Sequence, residues 1–321
     1  MSYWRPTTDL SAGPVSACRL TPLHYLIPKR IFGKVNTAGK GETMPDPDKL
    51  LHTITEATML TRATRRRRGR VIHINGGEVL AVGDLHGNIG NFQSLLRTAD
   101  LTRNPQRHLI MQELIHGNFR YVDGSDKSHQ AVDLWCALKC QFPDRVHLLP
   151  GNHELAQWTN RAIAKADNDL NASFRDGVRS AYGRRGDEIY AAYLELFAAL
   201  PLVIRTPNRV ILCHTLPSPA SEFNPACLQR DAYVESDLAP RGPVYSLLWG
   251  RDCTATNAAA FLAKTDADLV ITGHIPCEQG FAVPNDYQLI LDCLGSPACY
   301  CLFPAETRLT HPELIDCVHQ L

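Results

Sequence analysis

From Val71 onward the chain alternates short apolar runs with stretches whose apolar residues recur every three or four positions. The short runs are rich in β-branched residues. They predict strands at 79–83 (VLAVG), 108–111 (HLIM), 146–150 (VHLLP), 210–213 (VILC), 269–273 (LVITG), 287–293 (YQLILDC) and 299–303 (CYCLF). Between them, Phe92, Leu95, Leu96 and Ala99 share one helical face, as do Ala131, Leu134, Trp135 and Leu138, and then Tyr193, Leu196, Phe197 and Leu200. Strands alternating with helices are the pattern of an α/β domain. Residues 1–70 differ: Pro6, Pro14, Pro22, Pro28, Pro45, Pro47 and scattered Gly, with little sustained periodicity, predict an irregular N-terminal extension to a domain at 71–321. Met44 offers a second candidate start, and nothing that follows depends on residues 1–43.

Composition narrows the classes. The 321 residues are 44% apolar and 21% charged, and Lys plus Arg equals Asp plus Glu at 33 each. A balanced chain has no whole-protein field to attract nucleic acid or an anionic membrane, so neither is an expected partner. Eleven cysteines, without a C-x-x-C pair or a secretory signal pattern, fit reduced thiols and a cytoplasmic location. No apolar run reaches the roughly 18 residues of a membrane helix. The run TRATRRRRGR at 61–70 has the charge to grip phosphates, but a solvated linker or helix face is the expected reading.

The polar residues concentrate where the predicted strands end. Strand 79–83 runs into Asp84-Leu85-His86-Gly87-Asn88, strand 108–111 into Glu113, and strand 146–150 into Gly151-Asn152-His153-Glu154; strands 210–213 and 269–273 run into His214 and His274. Open α/β sheets bind ligands beyond the carboxyl ends of their strands, where loops lend side chains and the sheet stays rigid. Leaving His153 aside, the set is two carboxylates (Asp84, Glu113), three histidines (His86, His214, His274) and one amide (Asn152). Such oxygen and nitrogen donors suit hard to borderline divalent ions. One ion needs fewer groups; two ions sharing a carboxylate would use them all.

Gly83-Asp84-Leu85-His86-Gly87, Gly151-Asn152-His153-Glu154, His214 and Gly273-His274, in this order, resemble the G-D-x-H-G, G-N-H-E and two late His motifs of the calcineurin-like metallophosphoesterases. Within them the resemblance is to the phosphoprotein phosphatase branch, strengthened by Phe197 to Leu202 (FAALPL) and by Leu247-Leu248-Trp249. It spans about residues 79–303. It implies an α/β sandwich of two mixed β-sheets flanked by helices, with a dinuclear metal site at the strand ends. By the same carry-over Asp84 and His86 would hold one divalent ion, and Asn152, His214 and His274 the second. Manganese is the first expectation, with iron, zinc or nickel as alternatives. Two cations about 3.5–4 Å apart need an anion between them and convert a bridging water into the hydroxide that attacks phosphorus in line. The resemblance makes His153 the general acid, with Glu154 orienting its neighbours.

The second motif of that family, G-D-x-x-D-R-G, is altered. Laid on the strand end it becomes Gln112-Glu113-Leu114-Ile115-His116-Gly117-Asn118, which puts Glu113 in the bridging place and His116 where the second Asp would be, and removes the Arg. A register on Tyr121-Val122-Asp123-Gly124 is rejected because Arg120 would take the bridging place. Asp84 and Glu113 lie 29 residues apart, near the roughly 30 of one strand-helix-strand unit. Glu keeps the charge and both oxygens of Asp. A neutral His116, however, can only accept a hydrogen bond from His153, so a weaker general acid and a preference for good leaving groups are expected. Arg230 and Arg251 are the candidates to replace the lost phosphate clamp, ahead of Arg120 and Arg241. Cys213, Cys253, Cys277 and Cys293 near these segments are expected to be buried free thiols.

The expected function is metal-dependent hydrolysis of phosphomonoesters, most like a serine/threonine protein phosphatase, acting on a phosphorylated protein or a small phosphoester. A dinucleoside polyphosphate hydrolase is the alternative enzyme. A non-catalytic phosphate-binding scaffold is the alternative of another class, although a scaffold would have no need of His153.

Overall fold

The computed structural model describes residues 46–165 and 168–321. Two mixed sheets face each other. One has seven strands in the order Arg67–Arg68, Val71–His73, Val203–Arg205, Val210–Cys213, Leu269–Thr272, Gln288–Leu291, Phe281–Asn285. The other has five, in the order Val318–Gln320, Cys299–Pro304, Glu78–Asp84, Arg107–Gln112, Val146–Leu149. In each sheet the three strands that feed the candidate site run or pair in parallel, 78–84 with 107–112 and 146–149, and 210–213 with 269–272 and 288–291. Their carboxyl ends therefore gather at one end of the sandwich.

Strand alternation explains how both faces are buried. Val210 and Leu212 point to the layer between the sheets, with Val79, Ala81, Ile110, Ile271, Leu289 and Leu291. Ile211, Cys213 and Val270 point the other way, onto Val244, Leu247 and Phe261 of the helices Pro243–Trp249 and Ala255–Thr265. All seven predicted strands are present, with no end moved by more than two residues. Val71–His73, Val203–Arg205 and Val318–Gln320 are additional strands of three residues, too short to carry an alternation of their own, and Phe281–Asn285 is an additional edge strand with no buried residue to mark it. The helix Ile89–Ala99 buries Phe92, Leu95 and Ala99 as the spacing predicts. The helix His129–Gln141 buries Val132, Cys136 and Lys139 besides the predicted Ala131 and Trp135, because a further helix covers its other side.

That further helix corrects the boundary expected at residue 70. Pro47–Arg62 is capped by Asp46, whose carboxylate accepts from Asp48 N and Lys49 N, and Pro47 occupies its first turn. Its buried Leu50, Ile54, Ala57, Thr58 and Thr61 pack on the helices His129–Gln141 and Gly186–Ala199. The compact unit begins at Asp46, and residues 1–45 lie outside the described residues. The arginine run is divided rather than uniformly solvated. Arg65, Arg66 and Arg68 are exposed, but the Arg67 guanidinium donates to the carbonyls of Thr61, Gly69 and Ala199, and Arg70 donates to those of Ala198 and Asp231 and lies 3.9 Å over the Tyr233 ring. Burial pushes the Arg67 guanidinium down to about 10. These two side chains pin the turn between the helix and the first sheet.

Candidate metal centre

Asp84 ends its strand and is buried. Its Oδ2 accepts from His274 N at 3.0 Å, while Oδ1 stands 3.7 Å from His214 Nδ1. Glu113 follows the neighbouring strand, and its carbonyl accepts from both Leu85 N and His86 N, which ties the two strand ends together. The carboxylate turns toward the third strand end. Oε1 accepts from His153 N at 2.8 Å, and Oε2 lies 3.4 Å from His86 Nε2 and 3.7 Å from His214 Nε2. Gly151 makes room for it: a Cβ there would meet Glu113 Oε1 at 2.0 Å and its Cδ at 2.2 Å. The extra methylene of Glu is thus seated against a glycine.

Two groups of potential ligand atoms result, His86 with Glu113 and His153, and Asp84 with Glu113 and His214; within each group the atoms lie within 4.8 Å of one another. Glu113 belongs to both. His274 Nδ1 is 3.1 Å from His214 Nε2, and Asn152 Oδ1 is 3.4 Å from the same nitrogen, so all six candidate ligands and His153 converge. His86, Glu113 and His274 have φ of 42°, 34° and 70°, and His116 has 62°. Left-handed backbone at four non-glycine residues is strain concentrated where side chains must be aimed.

The donors are suited to cations. His86 Nδ1 must donate to Ile115 O at 2.7 Å, which leaves Nε2 as the basic nitrogen facing Glu113. Burial drives the His214 imidazole well below its ordinary range, with His274 and His86 adding to the effect, and takes His274 down to about 3 with help from Arg251. Both are neutral near pH 7. Burial likewise raises Asp84 to about 7 and lifts Glu113 well above the usual carboxylate range, each pushed further by neighbouring carboxylates. Asp84 Oδ1, His214 Nδ1 and His274 Nε2 are buried without a hydrogen-bond partner. Buried acids crowded together beside unmatched lone pairs fit cations placed among them.

Around this core, Glu154 accepts from Gly151 N, Leu114 N and Ile115 N, so one carboxylate braces both the 113–116 turn and the helix Asn152–Trp158. The ring of His116 lies between two partners, with Nε2 2.7 Å from Gln157 Oε1 and Nδ1 2.7 Å from His153 Nδ1. The Gln157 amide nitrogen donates to Tyr190 Oη and Asn171 O, so its oxygen faces His116 and takes the Nε2 proton. His116 Nδ1 is then an acceptor. His153 must donate to it from Nδ1.

The remaining candidates divide. Arg230, partly exposed, is ion-paired with Asp237. Arg251 is exposed with no ion pair among the described residues, and it follows Gly250, whose carbonyl accepts from Thr215 Oγ1 beside His214. Arg120 is held by Ser173 and Asp126. Asp123, the centre of the rejected register, is a surface residue bonded to Ser125 and Ser180. Cys213 and Cys293 are buried, whereas Cys253 and Cys277 are half-buried; all are free. Residues that the sequence reading missed are Gln157, Ser128, whose Oγ accepts from His116 N, and Asp292, whose backbone pairs with that of Asp84 and whose carboxylate accepts from Cys277 N and Leu294 N. Gln157 stands four residues after His153, on the same helical face, and that spacing was its only signal.

The model of the family described as calcineurin-like phosphoesterase matches residues 77–278. The chain is 29% identical over 239 residues to a probable serine/threonine-protein phosphatase of Encephalitozoon cuniculi, covering 68% of this chain and 47% of that one. It is 28% identical over 137 residues to a serine/threonine-protein phosphatase 7 long form homolog of Arabidopsis thaliana, covering 43% of this chain and 9% of the other. It thus spans less than half the length of these curated relatives. Among solved structures, a protein serine/threonine phosphatase from Saccharomyces cerevisiae with similarity to human phosphatase PP5 superposes with a TM-score of 0.61 at 16% identity, over 81% of this chain and 83% of that one. A cold-active protein-tyrosine phosphatase of a Shewanella species gives 0.50 at 14%, over 78% and 82%. These likenesses show the two-sheet fold. The family match extends over more than half of the chain and takes in five strand ends with their polar residues, and the chain belongs to the calcineurin-like phosphoesterases.

Proposed function

We propose that the chain is a two-metal phosphomonoesterase acting on phosphoserine or phosphothreonine in proteins. The observation that carries this reading is Glu113 shared between both ligand groups, since a carboxylate between two cations is what a dinuclear site requires. Asp84 and His86 would hold one ion, and Asn152, His214 and His274 the other, with Glu113 common to both. Manganese suits this donor set first, and iron, zinc or nickel follow. When bound, the ions supply Lewis acidity toward water and the phosphoryl oxygens.

The chain's own residues do the rest. His153 protonates the leaving oxygen from Nε2 while its Nδ1–H is held by His116. Arg251 binds the phosphate at the rim of the site, and Arg230 is withdrawn from that role by Asp237. Glu154 keeps Glu113 and His153 in fixed relation. The ten described cysteines, all free, favour a reducing compartment such as the cytoplasm, and no described helix is long and apolar enough to cross a membrane.

The test is a substrate panel on chelator-stripped protein reloaded with single metals: phosphopeptides, p-nitrophenyl phosphate and dinucleoside polyphosphates. Expected are two ions per chain, Mn-stimulated turnover of phosphopeptides, and its loss in His153→Asn. Preferential cleavage of dinucleoside polyphosphates would reassign the enzyme to nucleotides. Stoichiometric metal without turnover of anything would make it a phosphate-binding scaffold.

A further inference from the structure

Gln112 ends the strand Arg107–Gln112, in register with Asp84 on one side and Leu149 on the other. Strand alternation sends it the way of Ile110, into the layer between the sheets. Its side chain is completely enclosed, and neither Oε1 nor Nε2 has a hydrogen-bond partner. A carboxamide buried in this way is destabilising, and an apolar side chain of equal length would avoid the penalty.

Its surroundings indicate what the amide serves. A Cβ on Gly273 would stand 2.4 Å from Asp84 Oδ1 and 3.3 Å from Gln112 Oε1, so both side chains reach across the gap to the backbone that carries His274. Asp84 Oδ1 and His214 Nδ1, 3.7 Å apart, are also buried and unmatched. Three residues therefore leave polar atoms open in one small region below Glu113. The resembled motif has glycine at this position, and a glycine could offer nothing there. The same stretch replaces Asp by the longer Glu113, which leans away toward Gly151.

We infer that Gln112 is a positioning residue of the metal centre, acting through Asp84: its carboxamide donates through one buried water to Asp84 Oδ1 and fixes how that carboxylate faces the ion. The inference rests on the two-ion reading of the site. It concerns this chain's own departure from the motif. Outer partners of metal ligands typically set affinity by about 10- to 100-fold, and Gln112 is expected to fall in that range.

The experiment is Mn²⁺ titration by calorimetry of stripped wild type, Gln112→Met and Gln112→Glu, with thermal melts of the same stripped samples. Gln112→Met keeps the length without polar atoms. It is expected to weaken one of the two ions about 10-fold or more while the stripped protein melts at the same temperature or higher. Gln112→Glu can no longer donate and is expected to weaken binding as well. Unchanged affinity in Gln112→Met would overturn the inference and leave Gln112 a misfit in the core. Tighter binding in Gln112→Glu would also overturn it, since the side chain would then face the ion itself. Should Gln112→Met fail to fold, Gln112→Gly takes its place under the same criteria. A wild type that binds no ion would overturn the two-ion reading before any variant is compared.

Discussion

The Nδ1 atoms of His116 and His153 stand 2.7 Å apart, and the proton between them belongs to His153 because Gln157 fixes the other side of the His116 ring. Burial pushes His116 down to about 4, against the opposing effect of Gln157, so near neutral pH it is an uncharged acceptor. An anion in its place would favour the protonated His153 that a leaving alkoxide needs. His116→Asp is therefore expected to raise kcat on an alkyl phosphate relative to an aryl phosphate by on the order of 10-fold. Gln157→Leu, which releases the tautomer, should lower kcat with KM held. An alkyl-to-aryl ratio indifferent to His116→Asp would remove His116 from the catalytic group.

Gly151 and Glu113 are a matched pair. In Gly151→Ala the new methyl would meet the carboxylate at 2.0 Å, so Glu113 must leave its place between the ligand groups. Metal content by elemental analysis is expected to fall below two ions per chain. Adding Glu113→Asp, one methylene shorter, should restore it. Full metal content in Gly151→Ala alone would show that the shared carboxylate is not where the ions need it.

The two candidate arginines are expected to separate cleanly. Arg251→Ala should raise KM for phosphopeptides about 10-fold or more with the melting temperature unchanged, because an exposed guanidinium offers the substrate a charge and the fold nothing. Arg230→Ala removes a partner of buried Asp237 and should lower the melting temperature with KM little altered. The reverse pattern would exchange their roles.

At the opposite end of the strands, His108 and His147 are stacked 5.6 Å apart, with His108 Nδ1 3.3 Å from His147 Nε2. Burial takes His108 down to about 4 and His147 well below its ordinary range. Unfolded, both titrate near 6.5. Protons therefore bind the unfolded chain first as pH falls, so the stability these rings contribute is complete above pH 6.5 and is lost toward pH 4 and below. For His108 alone this amounts to about 3 kcal/mol. Melting temperature should drop over that interval, and His108→Phe with His147→Phe, which keeps the stacked rings, should flatten the slope. An equal slope in the double variant would assign the acid sensitivity elsewhere.

Most of this architecture was legible in the sequence where a segment is long or its pattern is chemically costly. The seven buried strands are apolar enough to be read directly, and polar residues clustered at five strand ends have no purpose in a core. The helix Pro47–Arg62 was missed because two prolines and a mean composition close to neutral hide a face of Leu50, Ile54 and Ala57, although Asp46 followed by Pro47 is a sound start signal. Arg67 and Arg70 read as solvated charge because a sequence does not reveal which carbonyls lack donors. Gln157 and Gln112 act through side-chain amides, whose use depends on tertiary neighbours, and the retirement of Arg230 depends on Asp237 folding back over seven residues.

Glu154 joins backbone amides on both sides of the site with a single carboxylate. The turn that aims Glu113 and His116 cannot loosen without releasing the start of the helix that carries Asn152 and His153. Damage to this brace should accordingly divide the population rather than slow every molecule: a sample would contain fewer competent centres, each working at its normal pace, and titrating active sites would register the loss where a kcat averaged over all protein would mistake it for poor chemistry.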